Sequence, residues 1–262
     1  SRGASPVASP FSGSNGGPTA PGVTAKEIKV VYYQPTADPA TTAALTAAGA
    51  ENREPDQEAT LRDYVTLFNN HFQMYGRKVT IVVKHGSGDT KDDAAGRADA
   101  VDIATRLKPF AVFGSPTTNA FPAELAARKI LCICTTSQPE EFYAKYSPYV
   151  GYTPLMASTQ GYIHRAEYIG KRLAGRKATH AGDALLQQQK RVFGLVYYDT
   201  PDNGYRGGAQ FFEKELREKY GVTLKVVQSS PSDYAAVQEQ ARPLIQKMKD
   251  AGVTSVICAC DP

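Results

Sequence analysis

The sequence predicts an α/β protein of two lobes, each a parallel sheet covered by helices, with a ligand cleft between them. Three observations predict it. Short uninterrupted apolar runs bounded by turn residues recur along the chain, as suits parallel strands covered on both faces. Segments with helical spacing of apolar residues alternate with those runs, so βα units follow one another. An irregular crossing at residues 149–155 then interrupts the alternation before a second βα series begins. The last predicted strand stops at Asp261-Pro262, where a loop should start, so the second lobe is expected to be incomplete at its C-terminus. The expected division is a flexible tether over residues 1–24, a first lobe over 25–150 and a truncated second lobe over 151–262.

Taken in order, residues 1–24 are dominated by Ser, Gly, Pro and Ala and show no periodicity, which predicts a tether too poor in apolar surface to fold. Residues 28–34 (IKVVYYQ) predict the first strand, and 35–55 a long Thr/Ala-rich connection. Residues 56–75 predict a helix: Leu61, Val65, Phe68, Phe72 and Tyr75 recur at spacings of four and three, and Gly76 supplies a stop. A strand over 78–84, a turn over 86–92 and a helix over 93–107 follow.

Residues 110–137 then form one complete βαβ unit. Two apolar runs, 110–113 and 130–134, flank a short helix over 119–128. Their strands must run the same way, so the loops 115–118 and 135–137 leave one sheet edge. In open α/β sheets ligands bind in the crevice beyond the carboxyl ends of the strands. Two hydroxyl-rich loops there, one feeding a helix N-terminus, predict a cradle for a small polar or anionic group.

Beyond it, residues 138–149 read as irregular and Tyr-rich, 157–173 as a helix, and 174–190 as a polar insertion of low order. The second series comprises a strand at 192–198, a helix at 208–220, a strand at 222–228, a helix at 234–251 and a strand at 255–260. Ala209, Phe212, Leu216 and Tyr220 make the buried stripe of the first of these helices, with Glu213/Arg217 and Glu215/Lys219 as supporting pairs on its wet side. Pro243 is expected to kink the last helix.

With 262 residues, 42% hydrophobic and 21% charged, the chain can bury a real core. Its 30 basic and 26 acidic residues leave a formal charge of +4, which reads as too small and too scattered to direct the chain to nucleic acid. No run approaches the roughly 18 apolar residues of a membrane span. The four cysteines fall as two Cys-x-Cys pairs, Cys132/Cys134 and Cys258/Cys260, each inside a predicted strand. Alternate strand residues share a face, but an i, i+2 bridge is unfavourable, and zinc sites space their cysteines more widely. Packed, inert thiols are expected.

Four motifs occur in order between about Gly22 and Pro262: GVTAKEIKVVYY, FAVFGSPTTNAFPAELAARKILCICTTSQPEEF, YTPLMASTQGYIHRAEYIG and VYYDTPDNGYRGGAQFFEKEL. Together they resemble the type I periplasmic solute-binding proteins of ABC importers, particularly the leucine/isoleucine/valine-binding branch. The resemblance implies two Rossmann-like lobes that close by a hinge on a small polar ligand, by family default an amino acid or related carboxylate. It implies no cofactor, no metal and no catalysis. It also implies ABC permease membrane subunits as partners, no nucleic acid, and membrane contact only through an N-terminal lipid anchor. The chain would then work in the periplasm or at the cell surface, its signal peptide removed. By position, the resemblance assigns ligand contact to Thr117 and Thr118, to Thr135 and Ser137, to Tyr205 in DNGYRGG and to Asp261. Two features depart from the pattern. The connection over 35–55 is longer and lacks the usual Gly-Pro turn, and the carboxylate that anchors a ligand amine would fall beyond Pro262.

For the four hydroxyl residues the competing reading is ordinary turn chemistry and helix capping. Tyr205 has an equally simple reading as a surface aromatic. Asp199, Asp202, Asn203 and Gly204 resemble a calcium loop, but its twelfth position is Gln210 and it follows a strand. HGSGDT at residues 85–90 is not a dinucleotide fingerprint, the four histidines lack HExxH spacing, and no G-x-S-x-G elbow occurs. The alternatives carried forward are a receptor's ligand-binding sensor domain and, less favoured, an α/β enzyme using Asp261.

Overall fold

A computed structural model describes residues 11–47, 49, 54–114, 118–153, 155–200, 204–231 and 234–259. The chain divides into two compact units, Ser1–Leu155 and Met156–Pro262.

In the first unit, β1 (Glu27–Thr36) runs parallel to β2 (Lys78–Asp89) on one side and to β3 (Ala111–Gly114) on the other, and β4 (Leu131–Ile133) lies outside β3. The strand order is therefore β2-β1-β3-β4. α3 (Asp93–Asp102) and α4 (Ala120–Ala127) pack on one another against the sheet. Val31 and Tyr33 of β1, Val112 of β3, and Phe121 and Leu125 of α4 are fully buried there, which fits strands that read as apolar runs. Asp92 caps α3 by accepting from the N–H groups of Ala94 and Ala95. That helix widens at its end into a π turn, where the Lys108 N–H reaches the Ile103 carbonyl.

The second unit repeats the scheme with three parallel strands in the order β6-β5-β7: β5 (Phe193–Asp199), β6 (Val226–Pro231) and β7 (Ser255–Ala259). Its helices are α6 (Ser158–Tyr168), α7 (Ala184–Gln188), α8 (Gly204–Tyr220) and α9 (Tyr234–Asp250). Ala209, Phe212 and Leu216, one helical face of α8, bury against Leu195, Ala166 and Ile169. Gly170 and Gly208 are fitted to this packing, since a Cβ on either would run into the ring of Tyr220 or Tyr162. α6 also ends in a π turn, the Ala174 N–H reaching the Ile169 carbonyl.

Several expectations are corrected. The stretch 35–55 holds a helix, α1 (Pro39–Ala47), because its Ala and Leu content suffices once Pro39 occupies the first helical position. The Tyr-rich segment contains α5 (Glu140–Tyr146). The helix expected at 56–75 is α2 (Glu54–His71), and no side chain in it is buried. Its apolar stripe stays half-wet, with Phe72 and Tyr75 beyond its end exposed. Asn69 ties α2 to the sheet by pairing its side-chain amide with the Val79 N–H and C=O, both at 2.8 Å. The strand predicted at 222–228 begins at Val226; Val222 and Leu224 are core residues of the preceding turn. The helix expected at 234–251 is present as α9, with Pro243 inside it. Lys219 pairs with Glu215 as expected, whereas Arg217 turns to Glu218.

Residues 11–24, expected to belong to a tether, make contacts with the first unit. Arg77, only 8% exposed, donates from Nε to the Thr24 carbonyl (2.8 Å) and from Nη2 to the Asn15 (2.6 Å) and Gly17 (2.9 Å) carbonyls. Asn15 donates in turn to the Ala25 and Tyr75 carbonyls, and Phe11 meets the Tyr75 ring edge-on. A segment without its own core is held by another segment's guanidinium. Residues 1–10 lie outside the described residues.

Nor are the described cysteines thiols. Cys132 and Cys134 are bonded to each other across a Cα–Cα distance of 5.2 Å, Cys258 is also disulfide-bonded, and no cysteine among the described residues is free. The bridge forms because β4 stops at Ile133, so the chain can bend around the pair.

Candidate functional site

The loops expected to form the cradle leave neighbouring strands. β3 and β4 pair in parallel with Phe113 opposite Ile133, so the chain emerges from both at the same sheet edge. β3 ends at Gly114, whose φ of +139° is a glycine conformation and whose missing Cβ leaves room for the Tyr33 carbonyl. Thr118 lies immediately before α4 with its hydroxyl oxygen buried, and its carbonyl accepts from the Phe121 N–H at 3.3 Å. Asn119, at the N-cap, makes no side-chain cap; in the first turn of α4 Pro122 has no N–H, and the Ala123 N–H donates to the Asn119 carbonyl at 3.3 Å. Thr117 lies outside the described residues.

On the β4 side the structure adds a residue that sequence reasoning missed. Tyr143 of α5 is 3% exposed, and its hydroxyl lies 3.3 Å from Thr135 Oγ1. It also donates to the Thr136 carbonyl and accepts from the Gln138 N–H. The Tyr143 ring stacks on Tyr152 with centroids 4.2 Å apart. Tyr143 thus props the loop 135–138 from beneath, and the Thr135 hydroxyl is committed to that prop. Thr135 is buried, Thr136 is exposed and Ser137 is half-buried. The only sequence signal for the prop was the Tyr-rich segment, whose spacing gave no partner. β4 gains a further neighbour from residues 149–151: the Cys132 N–H donates to the Tyr149 carbonyl at 2.7 Å, and the Gly151 N–H to the Cys132 carbonyl at 2.8 Å.

The floor behind these loops is a buried polar network. Tyr33, stacked on Phe121 at 4.2 Å, donates its hydroxyl to Asp99 Oδ2 at 2.8 Å. Asp99, 4% exposed, also accepts from the Ser87 N–H at 2.8 Å and from Lys84 Nζ at 3.2 Å. Burial alone would raise the Asp99 pKa. The Ser87 N–H, the Tyr33 hydroxyl and the Lys84 ammonium outweigh it and hold the carboxyl below its usual range. The Tyr33 phenol is pushed well above its usual range, first by burial and then by the bond to Asp99 and its charge.

A pH dependence follows. An unfolded tyrosine releases its proton near pH 10. Folded Tyr33 keeps its proton to higher pH, so above about pH 10 unfolding releases a proton and stability falls as pH rises towards the folded value. Urea unfolding at pH 8, 10 and 11 should show that fall, and Tyr33→Phe should make it shallower. Equal slopes for the two proteins would refute the assignment.

In the second unit, Tyr205 stands in the first turn of α8, its ring edge-on to Tyr198 at 5.6 Å, and Arg206 pairs with Asp199 at 2.9 Å. These groups lie at the carboxyl end of β5. Asp261 lies outside the described residues, as do Asp202 and Asn203 of the calcium-like stretch.

No protein-family model and no curated protein matches the chain. Solved structures do. A branched chain amino acid ABC transporter protein from Thermus thermophilus with bound valine superposes with a TM-score of 0.60 at 16% identity, over 90% of this chain and 53% of that one. A solute binding protein of an ABC transporter from R. palustris in complex with 4-hydroxybenzoate gives 0.58 at 14% identity, over 89% and 54%. The substrate binding protein LivJ from Streptococcus pneumoniae in complex with isoleucine gives 0.56 at 16% identity, over 89% and 57%. The chain therefore spans a little over half the length of the structures it matches. Parallel sheets, element order and superposition together give this chain the fold of the leucine/isoleucine/valine-type solute-binding proteins of ABC transporters.

Proposed function

We propose that this chain is part of an extracytoplasmic solute-binding protein of an ABC importer, taking a small polar ligand that carries a carboxylate. One observation carries the reading: two hydroxyl-bearing loops leave adjacent parallel strands at one sheet edge, beside the N-terminus of α4. Such an edge suits an anionic oxygen, which the N–H dipoles of α4 attract. The solved neighbours carry valine, isoleucine or 4-hydroxybenzoate, which have a carboxylate in common.

Roles differ among the candidates. Thr117, Thr118 and Ser137 are hydroxyl residues of the two loops. Thr135, its hydroxyl held by Tyr143, offers its backbone N–H. Tyr205 and Asp261 add contacts from the second unit, and ABC permease subunits are the partners of the loaded protein. An N-terminal lipid anchor belongs to the same reading.

Calorimetric titration of the full-length protein with valine and with 4-hydroxybenzoate tests it. At least one should bind, its amide should bind at least tenfold more weakly, and Thr118→Val should weaken the acid about tenfold, which corresponds to about 1.4 kcal/mol for a hydrogen bond to a charged group. An acid and its amide binding equally well would overturn the carboxylate assignment.

A further inference from the structure

Residues 174–190, expected to be of low order, are a closed element with its own internal bonds. Lys177 and Lys190 form an antiparallel bridge, the Ala178 N–H donates to the Gln189 carbonyl at 2.9 Å, and the Arg191 N–H donates to the Arg176 carbonyl at 2.9 Å. Ala178 is fully buried, and Asp183 caps α7 by accepting from the Leu185 and Leu186 N–H groups. The fold of this loop therefore sets Arg176, Lys177, Lys190 and Arg191 side by side.

That placement concentrates the charge of the whole protein. Residues 171–191 hold six Lys and Arg against one Asp, a net +5, whereas the complete chain carries +4, so all other residues together are at −1. The positive charge is thus not scattered, as composition alone suggested. Lys171, at the start of that stretch, is matched by Glu167, and Lys219 and Arg206 elsewhere in the unit are matched by Glu215 and Asp199. Among the described residues, none of Arg172, Arg176, Lys177, Lys190 and Arg191 makes an ion pair. Lys177 and Arg191 donate only to neutral oxygens, Gln188 Oε1 at 3.0 Å and Ser255 Oγ at 2.9 Å.

Beside these cations stands an apolar tip. α7 reads ALLQQ, and its Leu185 is 77% exposed, more than any other large apolar side chain among the described residues. The loop joins α6 and its π turn to the start of β5, at the amino ends of the strands, whereas Tyr205 lies at their carboxyl ends. Occupying this loop would leave the ligand-binding edge of the unit open.

We infer that the loop 174–191 is a docking element for an anionic lipid bilayer, its cations meeting the headgroup phosphates and Leu185 entering the interface. Cations in the same loop as an exposed Leu suit a bilayer, which offers negative charge and an apolar layer at adjacent depths. An acidic protein surface would satisfy the charges and leave Leu185 in water. The inference does not depend on which solute the protein carries, and it holds or fails apart from the solute-binding reading.

The test is co-sedimentation of the full chain with vesicles of phosphatidylcholine alone and of phosphatidylcholine with 30% phosphatidylglycerol, at low and at high salt. Binding is expected only to the anionic vesicles and should fall with salt as the charges are screened. Each Lys or Arg near such a surface contributes about fivefold, so Lys177→Gln with Lys190→Gln should weaken binding roughly 25-fold. Leu185→Ser should weaken it severalfold. Lys145→Gln with Lys214→Gln, which removes the same charge from exposed positions elsewhere, should change it less than threefold. All four lysines and Leu185 are exposed, so unchanged thermal unfolding of each variant will show that folding is not at issue. No binding to the anionic vesicles, or equal losses in the two double variants, would overturn the inference.

Discussion

Asp99→Ala is expected to remove about 3–5 kcal/mol from the unfolding free energy of the first unit, the range for breaking a buried charged pair from one side. The carboxylate satisfies three donors at once: the Tyr33 hydroxyl, the Ser87 N–H and Lys84 Nζ. Ala strands the Tyr33 hydroxyl and the Ser87 N–H in a site that is 4% exposed. Lys84 retains Asp102 at 3.9 Å, which softens its own loss, but the Tyr33 hydroxyl and the Ser87 N–H have no such alternative in the network. Asp99→Asn, keeping shape and one carbonyl acceptor, should cost less. The two variants also differ from the parent in acid. Because the folded carboxyl titrates below its unfolded value near 3.9, its contribution is present above that pH and is lost as pH falls through the lower folded value. Denaturant melts with an unchanged m value would measure the difference. A loss of less than 1 kcal/mol for the Ala variant would show that this network is ornamental. It would also remove the floor on which Gly114 and its loop are placed.

Arg77→Ala should cost about 3 kcal/mol and release the N-terminal segment. Its guanidinium serves three carbonyls, those of Thr24, Asn15 and Gly17, and each such bond from a charged donor contributes about 1.5–3 kcal/mol, less when they are lost together. Residues 11–24 contain almost no buried apolar side chain apart from Val23, so beside this clamp the segment has few ties, among them the Asn15–Tyr75 bond and the Phe11–Tyr75 ring contact. Limited proteolysis should then cut within 11–24 much faster than in the parent protein, and hydrogen exchange of the same amides should rise. Arg77→Lys should recover only part of the effect, because a single ammonium cannot reach three carbonyls arranged around a fork. Equal proteolysis of parent and Ala variant would mean the segment is held by Gly22 and its neighbours instead. Gly22 is the competing anchor, with φ +70° and so close to the backbone of Pro109 and Phe110 that a Cβ there would run into it.

The periodic features were legible in the sequence. β1, β3, β4 and β5 fall within a residue or two of the apolar runs that predict them, and the Ala209–Phe212–Leu216 face of α8 is buried as its spacing demands. Order and direction of the βα units fix which loops share a sheet edge, so the neighbourhood of Thr118 and Thr135 follows from chain order alone. Such features repeat every two or 3.6 residues, and each window of sequence contains the whole signal.

The remainder depends on partners far apart in the chain. Sixty-six residues separate Tyr33 from Asp99, and 62 separate Arg77 from Asn15. Nothing local distinguishes Arg77 from any surface arginine, or residues 11–24 from a tether. The apolar stripe of α2 has good helical spacing yet stays half-exposed, because burial needs an opposing surface and periodicity cannot supply one. Tyr143 took the Thr135 hydroxyl that the loop chemistry seemed to offer a ligand, and the hairpin-like closure of 177 on 190 gathered cations that composition had averaged away. The sequence by itself determined the fold class and the sheet edge at which a site can form. Tertiary structure alone decided which polar side chains are spent on holding that edge and where the charge collects, since both are set by long-range pairing in three dimensions.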